Sequence, residues 1–357
     1  MNSFIRGIPQ VCVMSADIEA TARAFNQLGI GPFKCWHYRP PMIFNTRVRG
    51  KDQPYTMKLG FAWVGDMEVE IIQPVEGDSI YREFLTKAGN SLHHMLFDAD
   101  YGGALERMAQ QNLPILQSGS VNAPLLVGGM TLPPLPDFIA QRWGPRFSFI
   151  DSEKTLGTVI EFSAMPPGLS SRMAVNLGKA DFWVPASASD MNAPLPNRFI
   201  SDIYKIGIVT RDVEALQRNY AQALGFDQWQ TYTLEAPRLS DTKLRGQVVT
   251  YRARVAVTTV GSTRLELVQP LEGASLYQEW LDANGEGMHY LGVGTEGLAF
   301  EGAIARFAEA GCPVIMDGSI AEAYRFAYVE SKPLVGATME LVSVPVRDAR
   351  SMQIPAQ

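Results

Sequence analysis

Between Ile8 and Met14 the chain reads IPQVCVM, an apolar run of strand length. From about Asp17 to Leu28 the apolar residues change to helical spacing, with Ile18, Ala22, Phe25 and Leu28 three or four positions apart. Gly29 ends that helix, since glycine accepts the left-handed conformation that commonly closes one. After a Trp36-His37-Tyr38 cluster come two apolar runs, Met57–Val64 and Met67–Gln73, separated by the turn pair Gly65-Asp66. The pattern predicts a strand, a helix and then several strands. Residues 79–88 read as a short helical link. The strand holding His94 then opens the same order of elements again, with a helix from about Gly103 to Gln111 and strands Arg146–Asp151 and Thr158–Ala164. Beyond Met165 a stretch rich in Pro, Ser, Asn and Ala has no clear period and reads as a linker.

The second half repeats the first. Val69–Asp98 (VEIIQPVEGDSIYREFLTKAGNSLHHMLFD) aligns with Leu265–Gly294 (LELVQPLEGASLYQEWLDANGEGMHYLGVG), with 11 identities in 30 positions. Such self-similarity identifies a duplicated architecture. IYKIGIVTRDVEALQRNYAQALGF matches the first strand and helix, placing Lys205 opposite Gln10 and Asp212 opposite Asp17. RFAYVESKPLVGATMELVS matches RFSFIDSEKTLGTVIEFSA, so that Glu161 and Glu340 each lie fifteen residues after an arginine. The expected divisions are an N-terminal domain over 1–165, a linker over 166–199 and a C-terminal domain over 200–357, made of four strand-helix-strands units paired consecutively. Within the repeat, His93 faces an unchanged His289, whereas His94 faces Tyr290. Alternation along a strand places His93 and His94 on opposite faces, with His93 and His289 structural and His94 free for function.

A chain of 357 residues fits two domains of about 150 each. The net charge of -6 and the lack of a Lys/Arg cluster argue against nucleic acid. No apolar run is long enough to span a bilayer, and the first residues do not have the form of a secretory signal, so the expectation is a cytoplasmic protein without membrane contact. Cys12, Cys35 and Cys312 share no close spacing and read as buried thiols.

IPQVCVMSAD, VEIIQP, SLHHM and VIEF in the first half, and IYKIGIVTRD, LELVQP, GMHYL and MELV in the second, resemble the vicinal oxygen chelate superfamily of glyoxalase I, methylmalonyl-CoA epimerase, extradiol dioxygenases and bleomycin-resistance proteins. The resemblance implies an α+β fold of four βαβββ modules in two tandem cupped sheets. It also implies a metal site on the first and last strands of each unit, which here are Gln10, Glu70, His94 and Glu161. This set is similar to that of one glyoxalase I branch, whereas the epimerases generally carry a histidine at the Gln10 position. An amide, two carboxylates and an imidazole suit a divalent ion, zinc first, with iron, nickel, manganese or cobalt as other candidates. The equivalent positions in the second half are Lys205, Glu266, Tyr290 and Glu340, a set that should not hold zinc; there the Lys205 ammonium is expected between the two carboxylates.

About twenty extra residues, VNAPLLVGGMTLPPLPDFIAQRWG, interrupt the first half only and read as a binding loop or lid, with Met130, Leu132, Phe138 and Trp143 as its apolar underside. The resemblance implies a metal-dependent lyase or isomerase that abstracts a proton and passes through a metal-stabilised enolate-like intermediate, with Glu161 as base and Glu70 as second carboxylate. The expected substrate is a small hydrophobic or aromatic oxygenated compound, suggested by Trp36, Tyr38, Trp63 and Trp143; a homodimer is a candidate assembly. Two other readings stand beside it, an extradiol-type ring-cleaving dioxygenase and a non-catalytic small-ligand binding protein.

Overall fold

The computed structural model describes residues 3–193, 195–295, 297–320 and 324–351. Among these, the first half forms an eleven-stranded sheet and the second a ten-stranded sheet. At the centre of the first lie Met67–Glu76, Gly7–Met14, Ser91–Asp98 and Val159–Ala164, in that order. The second repeats this with Thr263–Gly273, Ile200–Val209, Gly287–Thr295 and Thr338–Val342. The wing beside Met67–Glu76 comes mostly from the first module and the wing beside Val159–Ala164 mostly from the second, so consecutive modules pair.

Several residues shared by the two halves serve this scaffold. Helix Ile18–Gln27 is capped by the Asp17 side chain, which accepts from the Ala20 amide, and by Gln73 Oε1, which accepts from the Ile18 amide; Asp212 and Gln269 do the same for helix Val213–Leu224. Ser79 and Ser275 cap Ile80–Ala88 and Leu276–Asn284. Helix Tyr101–Gln110 begins two residues earlier than the apolar period suggests, because Asp100 caps it through the Gly103 amide.

Away from their bulges the central strands alternate. In the first half Val11, Val13, Val69, Ile71, Met95 and Ile160 point to the back of the sheet, into one hydrophobic core shared with Ile206, Ile208, Leu265, Leu267 and Leu291 of the second half. Cys12, Met14, Ile72 and Phe149 belong to the inside of the cup instead. The halves therefore sit back to back. Each closely packed Ile, Leu or Val removed from water contributes about 1.5–3 kcal/mol, which makes the shared face a large part of the stability of both halves. Two equivalent glycines fit the backs together. Gly157 (φ +70°) and Gly336 (φ +73°) close short helices in the left-handed conformation, and a Cβ there would lie 3.0 Å from Ile208 Cγ2 and 2.6 Å from Val13 Cγ1 respectively. Polar contacts also cross the joint: Tyr220 Oη donates to the Leu156 carbonyl at 2.9 Å and Thr263 Oγ1 to the Ile8 carbonyl at 3.0 Å.

Three features differ from the sequence expectation. A hairpin, Ile43–Val48 with Lys51–Asp52, leaves the first module to pair with Ile115–Val121 of the second, and Leu239–Leu244 with Gln247–Val248 repeats it. The stretch expected as a linker carries helix Ser171–Leu177 and strand Phe182–Val184, which adds to the first sheet beside Phe33–Tyr38. The insertion forms a small hairpin, Leu125–Val127 and Met130–Leu132, and helix Asp137–Trp143. Its Met130, Leu132, Phe138 and Trp143 are exposed rather than turned inward, while the half-buried Val121 and Leu125 line the cavity beneath. Cys12, Cys35 and Cys312 are buried free thiols as expected. No helix of the described residues is long and apolar enough to cross a membrane.

The shared core and the cross-joint bond set an expectation for unfolding. Tyr220→Phe leaves the Leu156 carbonyl without its donor and should cost about 1–3 kcal/mol in urea denaturation. That loss should appear in one transition common to both halves; a curve that splits, with only the second half weakened, contradicts the shared core.

Candidate metal centre and its degenerate twin

The floor of the first cup is set by strand register. Gln10 lies between Glu68 and Leu96, and Cys12 between Glu70 and His94, while Val159 pairs with His94 and Glu161 with Leu96. Two rows of side chains thus cross the four central strands, Glu68-Gln10-Leu96-Glu161 and Glu70-Cys12-His94-Val159. The four expected ligands, Gln10, Glu70, His94 and Glu161, alternate between the rows and are all buried. His94 Nε2 lies 3.2 Å from Glu70 Oε2 and 3.0 Å from Glu161 Oε2. Yet neither His94 Nε2 nor Glu70 Oε2 has a properly directed hydrogen bond among the described residues. Burial opposes charge on His94, but Glu161 and Glu70 outweigh it and raise its pKa to about 9. Burial likewise raises the pKa of Glu161, against the opposing pull of His94.

His93 and His94 do not separate onto opposite faces. Cys12 is opposite His94 and Val13 opposite Leu92, so His93 is the extra residue of a β-bulge, and the same slip at Gly207 and Ile208 leaves His289 in that position. The bulge brings the two imidazoles into contact, Nδ1 to Nδ1 at 2.9 Å. Burial, and the neighbouring His94, lower the pKa of His93 well below the ordinary value, and the protonated His94 donates its Nδ1–H to the neutral His93. This contact holds the His94 ring with Nε2 toward the carboxylates.

Two residues of this floor escaped the sequence reading. Cys12, two positions after Gln10, offers a thiol whose sulfur lies within 4.8 Å of ligand atoms of both Glu70 and His94. Burial, with Glu70 next, keeps that thiol protonated. Glu68, two positions before Glu70, is the second; strict alternation along each strand was the signal for both.

Above the floor is a cavity of about 190 Å³ walled by Trp36, Tyr38, Leu59, Phe61, Phe147 and Phe149. Val121, Leu125 and Leu135 of the insertion and Leu169, Ala174 and Val175 of the following segment cover it. Lys34 Nζ donates to the Val175 and Asn176 carbonyls at 3.0 and 2.9 Å, and Trp36 Nε1 to the Lys179 carbonyl, tying helix Ser171–Leu177 over the mouth. Trp36 and Tyr38 line the cavity as an aromatic substrate would require; Trp63 faces a neighbouring cleft, and Trp143 is exposed.

The second cup has the same floor and different chemistry. Lys205 Nζ lies 2.5 Å from Glu340 Oε2 and 3.4 Å from Glu266 Oε2. Tyr290 Oη donates to Glu266, and Tyr328 Oη donates to Glu340 at 3.1 Å. Burial opposes ionisation of Glu266, but Lys205, Arg264 and Tyr290 hold its pKa below the ordinary carboxylate value, while burial raises that of Glu340. Two glycines make the room. Gly207 stands where the first half has Cys12, and a Cβ on it would lie 2.1 Å from the Tyr290 ring; Gly292 stands where the first half has Leu96, and a Cβ would lie 2.7 Å from Lys205 Cβ.

Paired βαβββ modules with a nitrogen and oxygen donor set in one cup define an α+β protein with one candidate metal centre and one internally neutralised copy. The family model of the Glyoxalase/Bleomycin resistance protein/Dioxygenase superfamily matches residues 9–124 and 204–328, together more than half of the chain, and the protein belongs to this superfamily. Among curated proteins none matches the chain. A triple mutant of 4-hydroxymandelate synthase from Streptomyces coelicolor is similar over 97% of this chain and 96% of its own, with a TM-score of 0.55 and 12% identity. A xylose isomerase-like TIM barrel/4-hydroxyphenylpyruvate dioxygenase fusion protein is similar over 96% of this chain and 49% of its own, with a TM-score of 0.50 and 13% identity. At such identities the likeness is one of fold.

The second cup yields a direct expectation. Lys205→Met leaves Glu266 and Glu340 buried without their cation and should lower stability by about 3–5 kcal/mol. Metal uptake by the first cup should not change. An unaltered denaturation midpoint would show that Lys205 does not neutralise the pair.

Proposed function

We propose that the first half binds a divalent cation, zinc first among the candidates, through Gln10, Glu70, His94 and Glu161, and that the protein is a lyase or isomerase acting on a small hydrophobic or aromatic oxygenated compound. The observation that carries this reading is the pair of buried, undirected atoms, His94 Nε2 and Glu70 Oε2, 3.2 Å apart, with Glu161 Oε2 3.0 Å from the same imidazole nitrogen. Buried polar atoms rarely go unpaired, and this donor set fits a first-row divalent ion. A bound ion would supply a Lewis acid toward a substrate oxygen.

The protein's own residues would do the rest. His93, in contact with His94 Nδ1, holds the ring with Nε2 toward the site. The apolar walls exclude water and favour a substrate with an aromatic or aliphatic body. Glu161, its proton affinity raised by burial, takes a proton from carbon next to the substrate carbonyl; the electron pair of the broken C–H bond moves to the carbonyl oxygen, and Glu161 then returns the proton. Glu70 remains as the second carboxylate. A ring-cleaving dioxygenase centred in the second half would need its ligands at Lys205, Tyr290 and Glu340, and there Lys205 is paired with Glu340 and Tyr290 with Glu266.

Glu161→Gln separates ligation from proton transfer, because an amide oxygen can still face a cation but cannot accept the proton. The variant should fold, keep part of its metal and lose at least about 100-fold in turnover, the usual scale of a general base. Near-normal turnover would move the base to Glu70 or to bound hydroxide.

A further inference from the structure

Glu68 belongs to the floor of the first cup but not to the ligand set. Its backbone pairs with Gln10 on one side and Trp63 on the other, and it shares a strand face with Glu70. The residue is 4% exposed. Burial, then Glu70 and Glu161, raise its pKa well above the ordinary carboxylate value, opposed by Arg172, whose guanidinium lies 5.3 Å over the Trp63 ring, and by Ser171 at the start of the covering helix. Oε1 is shielded from solvent and has no hydrogen-bond partner among the described residues. A buried acceptor without a donor needs an explanation. The fold does not impose it, since the second half carries Arg264 at the equivalent position.

Position indicates what the missing donor belongs to. Glu68 lines both the apolar cavity and the wider neighbouring cleft, so it stands where the two meet. Two residues along a strand span about 7 Å, which sets the separation between Glu68 and the point where Glu70 and His94 converge. One aromatic ring bridges that gap, and Trp36, Phe61 and Phe147 wall it.

We propose that Glu68 is a specificity-determining residue, whose free Oε1 accepts a hydrogen bond from a ligand hydroxyl about one ring's width from the ligand oxygens held beside Glu70 and His94. This deepens the metal reading above and rests on it. The ligand class is accordingly a ring-bearing chelator with oxygens at one end and a hydroxyl at the other. Ligands of equal size that lack the donor leave Oε1 unpaired and are selected against.

The test uses the zinc-loaded full chain and two chelating probes, 4-hydroxybenzohydroxamate, which offers the donor, and 4-methoxybenzohydroxamate, which does not. Dissociation constants come from isothermal titration calorimetry. The natural protein should bind the hydroxy probe about tenfold more tightly, the scale of one well-formed hydrogen bond. Glu68→Leu should abolish the preference while keeping its zinc and its affinity for the methoxy probe. Glu68→Gln, whose amide oxygen still accepts, should keep part of the preference. Equal affinities in the natural protein, a preference that survives in Glu68→Leu, or zinc-loaded protein that binds neither probe overturns the role of Glu68 and leaves the metal reading standing. A protein that takes up no zinc overturns the metal reading and the proposal with it.

Discussion

Each cup brings two glutamates from neighbouring modules to one buried point, and the rest of each site is arranged around that charge. Two like charges about 4 Å apart repel by roughly 4 kcal/mol at an effective dielectric constant near 20, and desolvation adds to the cost. Nearby positive charge is the remedy. In the second cup it is covalent, since Lys205 lies between Glu266 and Glu340 and a tyrosine hydroxyl bonds one oxygen of each glutamate. In the first, His94 stands between Glu70 and Glu161 with its Nε2 and Glu70 Oε2 undirected. A site that fills itself has no use for an ion. One that leaves its donors converging suits an exchangeable cation, and this contrast is why the proposed chemistry is placed in the first half.

The divergence of the two cups is a set of matched size changes. Replacing histidine by the larger tyrosine requires the side chain facing it to shrink, and Gly207 stands where the first half has Cys12. A lysine reaching across the floor requires the same of its neighbour, and Gly292 stands where the first half has Leu96. The scaffold around these changes hardly varies: Gln73 and Gln269 cap equivalent helices, the bulges fall at His93 and His289, and Gly157 and Gly336 fit each half against the back of the other. The second half therefore has a structural role even without chemistry, because it buries the reverse face of the sheet that holds the first site.

Much of this was legible in the chain. Eleven identities in thirty positions marked the duplication, and the pairing of His94 with Tyr290 and of Gln10 with Lys205 pointed to the cup that changed. What escaped notice did so for physical reasons. In strand Ile43–Val48 only Ile43 is buried, so no alternation showed. Helix Ser171–Leu177 has no buried residue and hence no apolar period; it is held by Lys34 and Trp36 of the first module. The contact of His93 with His94 depends on a one-residue bulge, which strict alternation cannot express. The apolar residues of the insertion were visible, but their direction was not, and Met130, Phe138 and Trp143 point outward.

The central claim is that the two cups neutralise their carboxylates differently, one with an ion and the other with a lysine. Elemental analysis of the full chain, purified without chelator and supplied with a divalent metal, tests it most directly when paired with His94→Ala. The account predicts one tightly held ion per chain in the natural protein and none in the variant, with circular dichroism unchanged. A folded His94→Ala protein that retains its full metal content would contradict it, as would a natural protein that holds two.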